Sequence, residues 1–126
     1  MESEKVIKIA ALSGALAVGI GAFGAHGLED LLIQNGRLDT FETAVKYQFY
    51  HSLALLLVGL LMHTNFSHYL TWTINLFVIG ILVFSGSLYV LSITNYTLLG
   101  AITPIGGVFF ILGWLSLYKS MRSVER

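Results

Sequence analysis

Apolar residues in this chain neither alternate nor fall into narrow stripes; they run on. Four nearly unbroken apolar segments cover roughly Ile7–Leu28, Phe41–Met62, Leu70–Ile93 and Leu98–Tyr118. Each is close to the ~20 residues that a helix needs to cross a hydrocarbon core. Their continuity predicts helices rather than barrel strands, which would alternate with a period of two. The connections His63–Tyr69 and Thr94–Thr97 are very short, so neighbouring helices pair as antiparallel hairpins. The expected fold is all-α and integral to a membrane: an up-down bundle of four transmembrane helices in a single domain, 1–126.

The first connection is longer. Leu28, Leu31 and Leu32 share one side of a short helical turn beside Glu29 and Asp30, which predicts a helix lying in the membrane interface. Asn35-Gly36 supplies turn residues to end it. Asp39-Thr40-Phe41-Glu42 then has the pattern of a capped helix start. The first apolar segment exceeds the ~7–15 residues of a signal-peptide core, so it is expected to be retained. Along it, Ala10, Gly14, Ala17, Gly21 and Ala25 recur at small-xxx-small spacing, which lets another helix approach closely.

Composition sharpens the membrane assignment. Of 126 residues, 56% are hydrophobic and 11% charged, with a mean hydropathy of +0.78. A soluble domain carries about 25% charged residues. Seven basic and seven acidic residues balance, which argues against a nucleic-acid partner. Cysteine is absent, so disulfides, thiolate chemistry and cysteine-ligated metals are excluded. Lys5, Lys8, Lys119, Arg122 and Arg126 flank the two ends, whereas Arg37 and Lys46 sit across the bundle among Glu29, Asp30, Asp39 and Glu42. The positive-inside rule then predicts a multi-pass cell-membrane protein with both termini cytoplasmic. Tyr69, Trp72, Trp114 and Tyr118 would form an inner aromatic belt, with Tyr96 at the outer face.

With that topology, polar residues from all four helices fall at one depth in the outer half. They are His26, then Tyr47, Gln48 and His51 with Ser52, then Ser85, Ser87 and Tyr89, and last Thr103 beside Pro104. Water cannot satisfy such groups in hydrocarbon, so other helices or a ligand must. Two readings follow. Either the layer is interhelical glue that fixes register, or it is a small polar ligand or proton site built on His26 and His51. Zinc wants three or four N, O or S ligands; two histidines without cysteine or a nearby carboxylate do not supply them, so no metal and no other cofactor is expected. His63 and His68 flank one short loop, and two ligands are not a site. No paired carboxylate or nucleophile–base spacing points to an enzyme.

Three motif matches dissolve in context. Gly19-Ile20-Gly21-Ala22-Phe23-Gly24 fits a dinucleotide fingerprint, but no strand precedes it, so Gly21 and Gly24 are read as helix-packing positions together with Gly14. Asn65-Phe66-Ser67 and Asn95-Tyr96-Thr97 fit a glycosylation pattern but read as turn and cap residues. Pro104 would free the carbonyl of Gly100 and bend or locally unwind the fourth helix.

Four strings together carry a resemblance: Gly21-Ala-Phe-Gly-Ala-His-Gly27, Tyr47-Gln-Phe-Tyr-His-Ser-Leu-Ala-Leu55, Phe84-Ser-Gly-Ser-Leu-Tyr89, and Leu99-Gly-Ala-Ile-Thr-Pro-Ile-Gly-Gly107 continuing to Gly113-Trp114. Covering all four helices, they resemble the domain-of-unknown-function 423 family, also called uncharacterised protein family 0382, of which transmembrane protein 256 is a eukaryotic relative. The resemblance implies a bacterial-type multi-pass membrane protein. It brings no activity, substrate or catalytic residue to carry over. The expected role is therefore a structural, interaction or lipid-organising protein whose partners are the bilayer and further copies of itself. The alternative is an oligomeric conduit or carrier for a small solute or proton through the polar layer.

Overall fold

The computed structural model describes residues 2–122 and holds only helices and turns among them. Arg126, which entered the charge comparison, lies outside these residues, as does the side chain of Arg122. In chain order the elements are α1 (Ser3–Ala25), α2 (Glu29–Gln34), α3 (Leu38–Leu61), α4 (His68–Gly80), α5 (Gly86–Thr94) and α6 (Thr103–Arg122). A π-helical turn, Ile81–Ser85, joins α4 directly to α5, and a 3-10 turn, Thr97–Ala101, precedes α6. Four stretches are long and apolar enough to cross a membrane: Ser3–Ala25, Leu38–Leu61, His68–Thr94 and Thr97–Met121. The protein is an all-helical, four-span membrane protein, and its spans fall within a few residues of the apolar segments.

Local chemistry sets the ends. The interfacial helix α2 buries Leu32 and stops at Gly36, whose φ of 66° suits a residue without Cβ. Ser67 caps α4 by accepting from the backbone N–H of Tyr69, and Asn95 ends α5 in the left-handed conformation. One expectation needs correction. α3 begins at Leu38, so Asp39 lies inside its first turn and no side chain caps it. The local unwinding expected of the fourth span near Pro104 is a 3-10 turn that ends at Ala101, after which α6 starts at Thr103. Pro104 therefore sits in a first turn, where a missing N–H leaves no helical hydrogen bond unmade.

α3 is the centre of the arrangement. α1 packs along one side of it, the third span (α4, the π turn and α5) along the other, and α6 against the third span. Near the end that carries the termini, Val6, Leu55, Val58, Leu70, Ile74, Phe77 and Phe110 belong to one apolar core. Lipid tails are as apolar as leucine, so burial alone does not drive spans together; close fit and hydrogen bonds do. Glycine provides the fit. Gly106 lies so close to the Phe84 backbone that a Cβ there would stand 2.7 Å from the Phe84 Cα. Gly113 receives the ring of Phe77, and Gly80 that of Phe110. On α1, Gly21 faces Val45 and Gly24 faces Phe41, as the packing motif predicts. Gly14 departs from the expectation: nothing in the chain lies within 4 Å of its Cβ position. It is half-buried at the edge of the side of α1 that faces α3, which is lined by Ala10, Ala17 and Gly24.

Candidate functional site

The residues of the expected polar layer do converge, except one. Gln48 is the hinge of the arrangement: 6% exposed, it accepts from the Tyr89 hydroxyl at 2.6 Å and donates its amide to the Ser13 carbonyl at 3.0 Å. One α3 side chain thus ties the third span to α1. Ser52 Oγ lies 2.6 Å from Ser13 Oγ and 2.7 Å from the Gln48 carbonyl, so a chain of hydroxyls closes the same junction. Ser85 donates to the Ala44 carbonyl at 2.7 Å, tying the π turn to α3. Ser87 and Thr103 meet hydroxyl to hydroxyl at 2.7 Å, joining the third span to the start of α6.

His51 is enclosed as well, at 4% exposed. Its ring stacks on Phe110 with centroids 3.6 Å apart and planes 12° apart, and Phe77 meets it edge-on at 5.2 Å. Both ring nitrogens are engaged. Trp114 Nε1 lies 3.1 Å from Nε2, and Nδ1 lies 2.7 Å from the Tyr47 carbonyl. An indole nitrogen only donates, so Nε2 must accept and the ring proton sits on Nδ1, donating to Tyr47. A metal or an extra proton could reach Nε2 only by displacing Trp114. The geometry therefore describes a neutral imidazole used as a two-way connector, not an open ligand.

Three residues play parts that differ from expectation. His26 does not join the layer: it follows the last residue of α1 in an exposed turn and makes no side-chain hydrogen bond with a described residue. The chain is already turning there towards α2, and the ring is carried off the bundle. Tyr47 contributes its carbonyl and its ring, which lies 4.7 Å from that of Phe84, while its hydroxyl bonds no described residue. Trp114 reaches inward to His51 instead of simply standing in the aromatic belt, although 47% of it stays exposed. Sequence reading missed Ser13 and Ser116, whose hydroxyl donates to the Tyr69 carbonyl at 2.9 Å. Matching Ser13 to Gln48 by depth along two antiparallel helices would have found the first.

His63 and His68 do not meet. Ser3 Oγ donates to the Gly59 carbonyl at 2.7 Å and lies 2.8 Å from His63 Nε2, while His68 Nε2 accepts from Trp72 at 3.1 Å. Among the described residues, no three histidines or carboxylates gather at one point.

A second feature lies beside the layer. Between α1 and the third span the helices do not close, and α3 forms the floor of a cleft. Its deeper part, about 210 Å³, runs from Ile9 to Leu16 and touches Gln48 and Leu82. Its wider part, about 500 Å³, continues from Leu16 past Gly19 to Phe23, under Leu28 and beside Tyr89 and Ile93.

Comparison with known proteins identifies the family. Residues 20–107 match the family described as Protein of unknown function (DUF423). A UPF0382 membrane protein of Staphylococcus epidermidis is 52% identical over 111 residues, covering 88% of this chain and 89% of its own. The UPF0382 membrane protein YwdK of Bacillus subtilis is 46% identical over 112 residues, covering 88% of this chain and 90% of its own. No solved structure matches. On this evidence the chain belongs to the DUF423 (UPF0382) family of membrane proteins.

Proposed function

We propose that this protein is a structural or interaction protein of the cell membrane, a lipid-organising homo-oligomer with both termini in the cytoplasm, and not an enzyme. The observation that carries this reading is that the buried part of the polar layer is closed on itself. Gln48, His51, Ser52, Ser85, Ser87, Tyr89 and Thr103 each bond a partner within the chain, and both nitrogens of His51 are taken. A layer of this kind locks the rotation and register of four spans; it offers a solute or proton no free group at His51.

Self-association is supported by the face of α1 that α3 leaves uncovered. Ala11, Ala22 and Ala25 are small and exposed there, and Gly14 is half-buried at its edge, which suits close approach of a second helix in lipid.

The test is reconstitution in liposomes, with the folded state and proton flux followed in the same preparations. The structural reading predicts that wild-type protein leaves proton permeability unchanged and that His51→Ala lowers thermal stability. A proton flux that requires the wild-type chain and disappears in a still-folded His51→Ala protein would replace this reading with the conduit. Crosslinking between α1 helices through a cysteine placed at Gly14 reads the oligomer; a chain that stays uncrosslinked and monomeric in lipid removes that part of the proposal.

A further inference from the structure

Near the end of the bundle away from the termini, Gly21 and Gly24 let α1 touch α3 at Val45 and Phe41. Beside that contact lies a hollow of about 190 Å³ that Glu42 and Lys46, both exposed, help to line. Lys46 is out of place for a surface lysine. It stands about 12 Å along α3 from Leu38, within a membrane span. Its stem can lie along apolar surface, but a charge at that depth needs a counter-charge. The chain offers little. It has no carboxylate from Lys5 to Leu28 and none from Thr43 to Val124. Glu42 has the i, i+4 spacing that suits an ion pair, yet the two do not meet: the only ion pair within 4 Å among the described residues joins Lys5 to Glu2. Arg37 is engaged with Asn95 at 3.0 Å. The hollow thus presents two unpaired charges in a set order, the cation deeper and the anion about 6 Å nearer the membrane surface.

We infer that this hollow binds the headgroup of phosphatidylethanolamine in the leaflet away from the termini, with the phosphate on Lys46 and the ammonium on Glu42. The inference deepens the lipid-organising reading and rests on it. Charge order selects the occupant. In that headgroup the phosphate adjoins the glycerol and its acyl chains, and the ammonium lies two carbons beyond. Its charges therefore run in the order that sets each against its opposite at Lys46 and Glu42, as charge-assisted hydrogen bonds. Phosphatidylglycerol has the phosphate but brings no cation to Glu42. The choline cation of phosphatidylcholine is capped by methyl groups and has no N–H to donate. A second copy is disfavoured by symmetry. Related by an axis along the membrane normal, it brings Lys46 to the depth of Lys46 and Glu42 to the depth of Glu42, like charge beside like charge. None of its other spans carries a carboxylate at the depth of Lys46.

The test reverses that order. Protein is reconstituted in vesicles of equal parts phosphatidylethanolamine, phosphatidylglycerol and phosphatidylcholine with the same acyl chains, extracted in mild detergent and weighed by native mass spectrometry. Wild type is expected to retain phosphatidylethanolamine about two- to fivefold over each of the others, the worth of an exposed ion pair. Glu42→Gln should lose that preference and turn to phosphatidylglycerol, because a lone cation remains. Glu42→Lys combined with Lys46→Glu keeps net charge and an opposite pair at i, i+4 but inverts it, and should also lose the preference. Glu42→Gln alone decides should the exchanged protein fail to fold. A preference that survives either variant, equal retention of the three lipids by wild type, or a wild-type preference for phosphatidylglycerol overturns the site. So does a wild-type dimer without lipid that Lys46→Gln converts to monomer, because a second copy would then fill the hollow. Proton flux and the stability of His51→Ala, measured in the same vesicles, judge the structural reading separately. A lost lipid preference with those two as expected removes the site alone, whereas a flux that requires His51 removes the reading beneath it.

Discussion

The two sides of the bundle are closed in different ways. Where the third span meets α6, backbone meets backbone at Gly106 and Phe84 and glycines receive rings at Gly80 and Gly113, and α3 joins them through His51, stacked on Phe110 and bonded at both nitrogens. On the side of α1, small residues, the Ser13 junction, the Ser3–Gly59 bond and the buried Val6 make the attachment to α3, and a cleft stays open between α1 and the third span. All four spans are strongly apolar. The difference teaches that in a bilayer the amount of oily surface does not decide what closes; glycine fit and shared hydrogen bonds do.

Substitutions should widen or erase that contrast. The largest effect is expected from Gly106→Leu, because any Cβ meets the Phe84 backbone and no rotamer can relieve it. Overpacking of this kind costs about 3 kcal/mol or more, and thermal unfolding in detergent should show little folded protein. The same exchange at Gly14 meets no atom of its own chain within 4 Å of the Cβ and, in detergent that keeps the chain monomeric, should leave the midpoint unchanged or slightly raised, since glycine is worth about 1 kcal/mol less than alanine in a helix. Equal losses at both positions would erase the contrast.

His51→Ala should come next, at about 2–4 kcal/mol, since it empties a stacked aromatic site and leaves the indole N–H of Trp114 unpaired. In a Trp72→Phe background the emission of Trp114 should shift with it. Gln48→Leu keeps volume but breaks two interhelical bonds at about 0.6 kcal/mol each, and should loosen α1 first. Hydrogen exchange of α1 amides, faster than in wild type while α6 is unchanged, is the expected readout. Ser85→Ala should be smallest, about 0.6 kcal/mol for one bond to the Ala44 carbonyl.

Much of this was legible in the chain and the rest was hidden for physical reasons. Span positions followed from apolar length, because hydrocarbon thickness is a hard constraint on helices. The face Gln48, His51 and Ser52 followed from i, i+3, i+4 spacing. Ser85, Ser87 and Tyr89 followed from topology, which set their depth. The π turn at Ile81–Ser85 left no periodic trace, for it adds one residue to a stretch that is apolar all round; Ser85-Gly86-Ser87 was its only mark. Trp114 read as belt because rank along a span gives depth, not the direction in which a ring turns. His26 read as part of the layer because depth alone cannot tell a residue inside the bundle from one in the turn beyond its helix. The cleft was invisible altogether, since lack of contact between α1 and the third span is a property of three helices at once.

One measurement bears most directly on the central claim that the polar layer is a closed lock. Nitrogen NMR of histidine-labelled protein in lipid, with His51 assigned by difference against His51→Asn, reads the state of each ring nitrogen. The account predicts a neutral ring, protonated at Nδ1 and bare at Nε2, whose Nε2 signal moves in Trp114→Phe. A proton on Nε2, a charged ring, or an Nε2 signal indifferent to Trp114 would contradict it.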